Sequence, residues 1–544
     1  MASLSTRRST MTNRTERTYT RRKALAGLGV ASTLALAGCA TQSGSPTTEP
    51  EQSELPTRED GIEQWGQKLN EHARKAGIDW EMFAGEGIEL KFGMGLHKYS
   101  TTTKPLLPYF EDLTGISVEY EIFEENRYWR EARNAMADQS GEYDGFMVGL
   151  WPAGGYHQGT DGDPWVEDLW PYIEDATLTD QDWLAMEDFM AQTIELMTFP
   201  DPDGGESFIG FPNGIEIYGC VGYDMETYDT LGLEEPTTFE ELEQNAKAIS
   251  ESSEVDQEGM VSRTASATLS SANWGTMFRS HGAKWIDREV LLNEDDPDPE
   301  AVALINSDRG VESLERFGSI LHNYGPSQAW TKDWYANNQT YNRGDVGMIY
   351  STPQTSGIVD EERMANTKWI PPLRTEDGRE RIGDTWIWAT GISSYTDEQS
   401  QKAAWLFIQW ANSRAANFLL STHQWQGDEP RAGHARFNMY RNDSGSEWRY
   451  EADAYPEVAG AYPEVAGEGY EQTFIDGMKL VPTSPPPVPV DTPQNMNIMD
   501  EAATAMSRVV ANGPDTARDE LDAIASSVGE YAKRIPDRYI NYVA

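Results

Sequence analysis

Cysteine is the residue type that this chain most clearly lacks. Only Cys39 and Cys220 occur among 544 residues, too few for a disulfide framework or for a cysteine-based metal site. The seven histidines are scattered, and the sequence contains no Gly-rich phosphate loop and no nucleophile elbow. We therefore expect no metal, no cofactor and no enzyme class that is defined by such a motif.

Basic residues are also scarce. The chain has 43 Lys and Arg residues against 90 Asp and Glu residues, which gives a formal net charge of -47. A negative charge of this size repels nucleic acid, so we expect no nucleic-acid partner. We interpret most of the acids as a surface adapted to high salt, where ions screen the repulsion among carboxylates. Such a composition is typical of a protein from a halophilic archaeon.

Long apolar runs are absent except near the N-terminus. Residues 24–37 are apolar and small, a run too short to span a bilayer as a permanent helix. The pair Arg21-Arg22 precedes this run, and the stretch LAGC, which ends at Cys39, closes it. Segment 1–38 therefore resembles a twin-arginine lipoprotein signal that is cleaved before Cys39, with lipid on the cysteine sulfur. An ordinary buried helix is the alternative.

The segment that follows is unsuited to a folded core. Residues 39–60 are rich in Ser, Thr, Pro and acids, so we expect a flexible tether. Together, the signal and the tether predict a protein that is lipid-anchored through Cys39 on the extracellular face of the cell membrane.

Beyond the tether, hydrophobic periodicity predicts alternating strands and helices. A strand begins at Ile88, a helix covers Leu106–Thr114, and a second strand begins at Ile116. A helix over Tyr128–Gln139 and a strand over Tyr143–Leu150 follow. This alternation predicts an α/β fold with a parallel sheet that is covered by helices.

Five short stretches carry a family resemblance through their order and spacing. They are Leu106–Val118 (LLPYFEDLTGISV), Gly141–Val148 (GEYDGFMV), Phe208–Asp224 (FIGFPNGIEIYGCVGYD), Tyr341–Tyr350 (YNRGDVGMIY) and Arg381–Ser393 (RIGDTWIWATGIS). Together they resemble the motifs of extracellular solute-binding proteins of family 1, the sugar-type receptors of ABC importers. The family usually has Tyr-Asn where this chain has Tyr-Asp at 223–224, a mild departure.

This resemblance implies a two-lobed periplasmic-binding-protein-like fold with a hinge and an interlobe cleft. Lobe one is expected to hold 61–212 plus about 385–430, and lobe two 213–384 plus about 431–544. The implied function is that of a monomeric receptor, which captures a sugar, oligosaccharide or polyol outside the cell and delivers it to the ABC permease subunits in the membrane. The alternatives are a membrane-tethered glycoside hydrolase and a ligand sensor on the same fold.

Aromatic residues occur where the motifs place strand ends and lobe crossings. Aromatic rings cover the apolar C–H faces of a sugar, while polar groups bind its hydroxyls. Trp151 follows the third strand, Trp274 begins a helix of lobe two, and Trp386 and Trp388 lie on the return crossing. The last two are one residue apart, so in a strand their side chains face the same way. For each Trp, core packing is the alternative, and with 18 in the chain it holds for most.

Further candidates lie at strand ends and on the first crossing. They are His97, Tyr99, Glu216, Tyr218, Ser351 and Gln354. Backbone N–H groups at the helix start beside His97 and Tyr99 attract ligand oxygens. Few cations lie near the candidates in sequence, with Lys98, Arg279 and Lys284 as the nearest. We therefore expect a neutral ligand, with an anionic one such as a glycerophosphate as the alternative.

Overall fold

The structure, a computed structural model, describes residues 62–189, 191–379, 381–417, 467–480 and 494–540. The predicted signal, the lipidation site at Cys39, the tether up to residue 60 and the predicted end of lobe one near residue 430 lie outside these ranges. None of the helices in the described part of the chain is long and apolar enough to cross a membrane.

Strands in the described ranges form two main sheets and a hairpin. The strands are β1 Glu89–Gly95, β2 Ser117–Phe123, β3 Gly145–Gly149, β4 Thr198–Pro200, β5 Glu206–Phe208, β6 Phe211–Tyr218, β7 Cys220–Asp224, β8 Glu258–Ser262, β9 Val346–Ser351, β10 Thr367–Ile370 and β11 Asp384–Ile392. The first sheet has the order β2-β1-β3-β11-β6, the second has the order β10-β7-β9-β8, and β4 pairs with β5. Each main sheet is the centre of one lobe, so the predicted two-lobed α/β architecture is confirmed.

The first sheet is mixed in direction. β1 pairs in parallel with β2 and β3, as the alternation of strands and helices predicted. β11 returns from the second lobe and pairs antiparallel with both β3 and β6. At the end of β3, Gly149 therefore pairs with Trp388 in the middle of β11, where the candidate site lies.

Helices of the first lobe pack against its sheet. They are Ile62–Ala73, Lys98–Thr101, Leu107–Thr114, Glu125–Ala137, Leu150–Gln158, Trp170–Glu174, Gln181–Leu184, Ala191–Leu196 and Glu398–Ala411. Leu107–Thr114 ends at Gly115, whose φ of 74° is the left-handed conformation that glycine adopts at helix ends. In the core, Phe92 and Phe110 contact Phe407 with ring centroids about 5 Å apart.

Helices of the second lobe pack against the second sheet, and the C-terminal helices pack mainly on those helices. The set is Met225–Leu231, Phe239–Ser250, Ser271–Ser280, Arg288–Asn293, Pro299–Val302, Asp308–Tyr324, Trp334–Asn342, Glu361–Ala365, Tyr470–Leu480, Asn495–Asn512, Ala517–Ala532 and Asp537–Ile540. Thr238 and Glu241 form the capping box that starts Phe239–Ser250. Asn495–Asn512 packs against Asp308–Tyr324 and also reaches the first lobe, because Asn495 donates a hydrogen bond to the Trp151 carbonyl.

The chain first passes from one sheet to the other at Gly219. β6 pairs with β11 up to Tyr218, and β7 begins at Cys220 in the second sheet. Gly219 has a φ of 83°, and a Cβ there would lie 2.3 Å from Thr276 Cγ2, so only glycine fits without a shift. Because all of β6 belongs to the first sheet, we place the first lobe boundary at Gly219 rather than after residue 212.

The return crossing enters β11 at Asp384 and is held by lobe two. Asp384 Oδ2 lies 2.6 Å from Arg279 Nη2, and both side chains are buried. The Thr276 hydroxyl donates a hydrogen bond to the same carboxylate oxygen. We call Thr276, Arg279 and Asp384 the hinge cluster. The pKa of the neighbouring Cys220 thiol is raised, mainly by burial and further by the Asp384 carboxylate.

Candidate ligand-binding site

A small interlobe cavity brings together six of the residues that the sequence analysis singled out. Its lobe-one wall consists of His97, Trp151, Glu216, Tyr218, Trp386 and Trp388. The lobes close on this cavity and leave about 10 Å³, space for one water molecule at most. A ligand of sugar size therefore enters only after the lobes separate, as in hinged binding proteins.

His97 is fixed by stacking and by its position at the end of β1. Its ring packs against both Tyr99 and Trp388, with centroids 4.6 and 4.5 Å away. As the N-cap of a short helix, its Nδ1 accepts a long hydrogen bond, 3.4 Å, from the Tyr99 backbone N–H. In a neutral imidazole the proton then lies on Nε2, which is 3.2 Å from Glu216 Oε1. The two side chains form a polar pair at the base of the cavity.

Strands β6 and β11 supply Glu216 and two of the indoles from facing positions. Glu216 lies opposite Trp386 in the antiparallel register. Trp386 and Trp388 both line the cavity, in agreement with the alternation of side chains along a strand. Glu216 is 2% exposed, so its carboxylate is available only to groups inside the cavity. A buried carboxylate of this kind is a strong acceptor for hydroxyl groups.

Trp151 completes an aromatic cluster at the start of the helix Leu150–Gln158. Its ring centroid lies 5.5 Å from that of Trp386 and 5.2 Å from that of Trp388. Trp129 packs edge-on against Trp151 at 4.6 Å. These separations are those of favourable aromatic pairs, and Trp151 is 1% exposed. The cluster is therefore packed structure as well as cavity wall.

Three indole N–H groups in the cavity wall have no hydrogen-bond acceptor among the described residues. They belong to Trp151, Trp386 and Trp388, and all three nitrogens are buried. A buried donor without an acceptor is unfavourable by about 1–3 kcal/mol. Oxygen atoms of a bound solute would satisfy these donors, which makes the cavity chemically suited to a molecule with several hydroxyls.

Lobe two closes the cavity with residues that the sequence analysis did not select. They are Arg263, Leu269, Ala272 and Trp334. Arg263 directly follows β8 and is 3% exposed, and the ring centroid of Trp334 is 6.5 Å from that of Tyr218 across the cleft. The sequence feature that could have identified Arg263 as a site residue is its position at the end of a strand. Trp334 had none, because it begins a helix outside the recognised motifs.

The other candidate residues lie elsewhere. Trp274 is 0% exposed in the core of lobe two, where it packs on Trp285 and donates a hydrogen bond to Ser313 Oγ at 3.1 Å. The prediction that it contacts ligand is corrected accordingly, because its polar group already has a partner. Tyr99 is also buried, and its hydroxyl donates to the Ile215 carbonyl at 3.4 Å.

Two candidate residues at and after the end of β9 likewise do not line the cavity. Gln354 Nε2 donates to the Ile215 carbonyl at 3.3 Å, so Gln354 contacts the strand that carries Glu216 rather than the cavity. Ser351 is buried opposite Cys220 in the β7–β9 ladder. Direct ligand contact by either residue is therefore not supported by the geometry, and both belong to the support of the site.

The fold and the cavity define a class. Two α/β lobes joined by strand crossings, with an interlobe cavity of aromatic and polar groups, are the architecture of a binding protein that closes on a solute. Residues 95–418 match the family model of bacterial extracellular solute-binding proteins. The match covers more than half of the chain, which therefore belongs to this family. The predicted family resemblance is confirmed.

Individual relatives agree with this assignment. The chain is 27% identical over 356 residues to the erythritol/L-threitol-binding protein of Mycolicibacterium smegmatis, covering 62% of this chain and 69% of the relative. An ABC transporter solute-binding protein from Agrobacterium radiobacter K84, solved with ribitol, has a TM-score of 0.60 at 20% identity, covering 81% and 99% of the two chains. One from Agrobacterium vitis S4, solved with D-mannitol, has a TM-score of 0.62 at 18% identity, covering 82% and 98%.

Proposed function

We propose that the protein is the extracellular receptor of an ABC importer for a polyol or small carbohydrate. The solute binds between the separated lobes, the lobes close over it, and the closed form delivers it to the permease. The observation that carries the proposal is the set of three buried indole N–H groups beside the His97–Glu216 pair. Such a wall offers donors, an acceptor and aromatic faces, which are the groups that a polyol needs.

The named ligands of the relatives support the same class. One relative is named for binding erythritol and L-threitol, and two structures of similar fold contain ribitol and D-mannitol. All four compounds are neutral, acyclic and hydroxylated on every carbon. The small interlobe cavity suits this chemistry, because its walls contain both indole faces and buried polar groups.

A thermal-shift panel tests the proposal. Erythritol, ribitol, D-mannitol and maltose are compared with organic acids and peptides in high salt. A ligand that binds only the folded protein, present at a hundred times its dissociation constant, adds about 2.7 kcal/mol to the free energy of unfolding. At least one polyol or sugar is expected to raise the midpoint. Stabilisation by acids or peptides alone would contradict the substrate class.

The variant Glu216→Gln ties the shift to this cavity. It keeps the side-chain size but replaces a charged acceptor with a neutral one, so the affinity for the stabilising polyol is expected to fall about tenfold. Glu121→Gln is the matched control, because Glu121 lies on β2 in an ion pair with Lys91 and does not line the cavity. Equal losses in both variants would show that the cavity is not the site.

The receptor is proposed to bind without turnover. The chain is therefore expected to leave a chromogenic glycoside intact while it binds the polyol saturably. Slow release of the chromophore, lost in the variant Glu216→Gln, would favour the tethered glycoside hydrolase instead.

The membrane anchor is a separate part of the proposal. We infer from the Arg21-Arg22 pair and the LAGC stretch that the mature protein begins at Cys39 and carries lipid there. The variant Cys39→Ser is expected to appear in the medium, and Arg21→Lys with Arg22→Lys is expected to retain precursor inside the cell. Unchanged partitioning of Cys39→Ser with membranes would refute the lipid anchor.

The acidic surface is the basis of the proposed halophilic origin. With a net charge of -47, repulsion among carboxylates is expected to grow as salt is removed. The thermal midpoint should therefore fall steeply between molar and millimolar KCl. A flat dependence would mean that the acids need another explanation.

A further inference from the structure

A second, larger cavity lies between the lobes beside the small interlobe cavity described above, which we call the first cavity. It has a volume of about 530 Å³, which is within the range of small-molecule sites. Trp151 and Leu269 belong to the walls of both cavities. A ligand that fills the first cavity can therefore continue past Trp151 into the second, while the closed first cavity alone is too small for a whole disaccharide.

One helix of lobe one supplies half of the residues that line the second cavity. Helix Glu125–Ala137 contributes Arg130, Arg133, Asn134 and Ala137, which share one face at the spacing i, i+3, i+4, i+7. Lobe two and the C-terminal helix Asn495–Asn512 complete the wall with Ala267, Met496 and Asp500. The second cavity is thus interlobe as well.

The two arginines make this wall unusual for the chain. Acids outnumber bases by 90 to 43 overall, yet Arg130 and Arg133 lie together, and Asp500 is the one acid among the lining residues. Among the described residues, the Arg130 side chain, which is 66% exposed, has a single long ion-pair contact, 3.9 Å to Glu131. No carboxylate in the described ranges lies within ion-pair distance of Arg133. Adjacent guanidinium groups of this kind attract and bind carboxylate or phosphate groups.

Trp129 extends the aromatic wall toward these arginines. Its ring lies 4.6 Å from Trp151 and 5.9 Å from Trp388, and it lines the second cavity. Its buried indole N–H has no acceptor among the described residues. The wall therefore offers a sugar-binding aromatic face and a free donor immediately before the cationic face.

We propose that the second cavity binds the anionic end of an extended carbohydrate ligand. The hydroxylated part of the ligand occupies the first cavity, and its carboxylate or phosphate lies against Arg130 and Arg133. This inference rests on the proposed function and adds to it a substrate class, a glycoside or disaccharide with an acidic group.

Titration calorimetry with two matched ligand pairs tests the proposal. Maltobionate and maltitol differ in a carboxylate against a hydroxymethyl group, and maltose 1-phosphate and maltose differ in a phosphate. We expect the acidic member of at least one pair to bind at least tenfold more tightly than its neutral partner. In Arg130→Gln/Arg133→Gln this ratio is expected to fall close to one, while the affinity for the neutral partner stays unchanged.

The control variant removes the same charge elsewhere. Arg74→Gln/Arg414→Gln changes two arginines on lobe one that do not line the cavity, and it is expected to keep the preference for the acidic ligand. The proposal is overturned if neither acid is preferred, if Arg130→Gln/Arg133→Gln keeps the preference, if the control loses it equally, or if none of the four compounds binds. In each case, the receptor function stands if erythritol, ribitol or D-mannitol stabilises the protein. If none of them does, both the receptor function and the proposal for the second cavity fail.

Discussion

Asp384 and Trp386 are separated by one residue on strand β11, but among the described residues only Asp384 has partners for its buried polar group. At Asp384 the carboxylate is paired inside the protein, with Arg279 at 2.6 Å and the Thr276 hydroxyl, both from lobe two. At Trp386 the indole N–H is just as deeply buried but has no acceptor among the described residues. The hinge cluster and the cavity are therefore neighbours with different chemistry.

The difference separates structure from binding. The buried ion pair joins Arg279, on the lobe-two helix Ser271–Ser280, to Asp384 at the start of β11, so it links the two lobes within the protein. Buried donors without acceptors destabilise the closed lobes and leave hydrogen bonds for a solute to make. Changes in the hinge cluster should thus act on folding, and changes in the cavity donors on affinity.

The largest expected effect comes from Asp384→Asn in the hinge cluster. It leaves Arg279 charged and buried without its partner, which is expected to lower the free energy of unfolding by about 3–5 kcal/mol. Urea denaturation measures this loss. Glu398→Gln, in the exposed i,i+4 pair with Lys402, is the control and should change stability by less than about 0.5 kcal/mol.

A double replacement sharpens the same comparison. Arg279→Met with Asp384→Leu removes both charges together and is expected to recover part of the stability that Asp384→Asn loses. If Asp384→Asn is no more destabilising than Glu398→Gln, the ion pair does not support the hinge as described.

A smaller loss is expected from Gly219→Ala at the first crossing. The new Cβ would lie 2.3 Å from Thr276 Cγ2 at a φ of 83°, so backbone strain of about 1–3 kcal/mol is expected. Urea denaturation again reports the change, with Gly232→Ala as control, because Gly232 also has a positive φ but nothing within 4 Å of its Cβ. Equal losses in both variants would show that the contact with Thr276 is unimportant.

The cavity is tested by Trp386→Phe. Phenylalanine keeps an aromatic face but has no N–H, so polyol affinity is expected to fall about tenfold, which corresponds to about 1.4 kcal/mol. Alanine is unsuitable, because removing a packed Trp lowers stability by about 3–5 kcal/mol on its own. Trp274→Phe is the control and should leave the affinity unchanged. A large affinity loss in the control would place binding outside the described cavity.

The smallest effect concerns the thiol beside the hinge cluster. Burial and Asp384 raise the pKa of Cys220, so its reactive thiolate form is rare at neutral pH. In the variant Cys39→Ser, where Cys220 is the single cysteine, the native protein is expected to react with a thiol reagent far more slowly than the unfolded chain. Equal rates would show that the crossing opens readily.

Sequence patterns predicted the local parts of this molecule well. The strands that start near Ile88 and Ile116 and the helix ending at Gly115 follow from periodicity and from glycine. Strand alternation likewise placed Trp386 and Trp388 on one side. These features depend on residues that are close together in the sequence.

Features that depend on distant residues were missed. Trp274 is of a residue type that is common in sugar-binding sites. In the core, however, Ser313 on another helix accepts a hydrogen bond from its indole N–H. Arg263 and Trp334 join the cavity only because lobe two closes on lobe one. The first crossing lies at Gly219 rather than after residue 212, because the pairing of β6 with β11 continues through Tyr218.

A crystal structure with the polyol that gives the largest thermal shift tests the central claim most directly. We predict ligand hydroxyl oxygens within about 3.2 Å of at least two of the indole nitrogens of Trp151, Trp386 and Trp388, and a further hydroxyl that donates to Glu216. A ligand bound elsewhere, with these three N–H groups still without acceptors, would contradict the assignment of the cavity as the binding site.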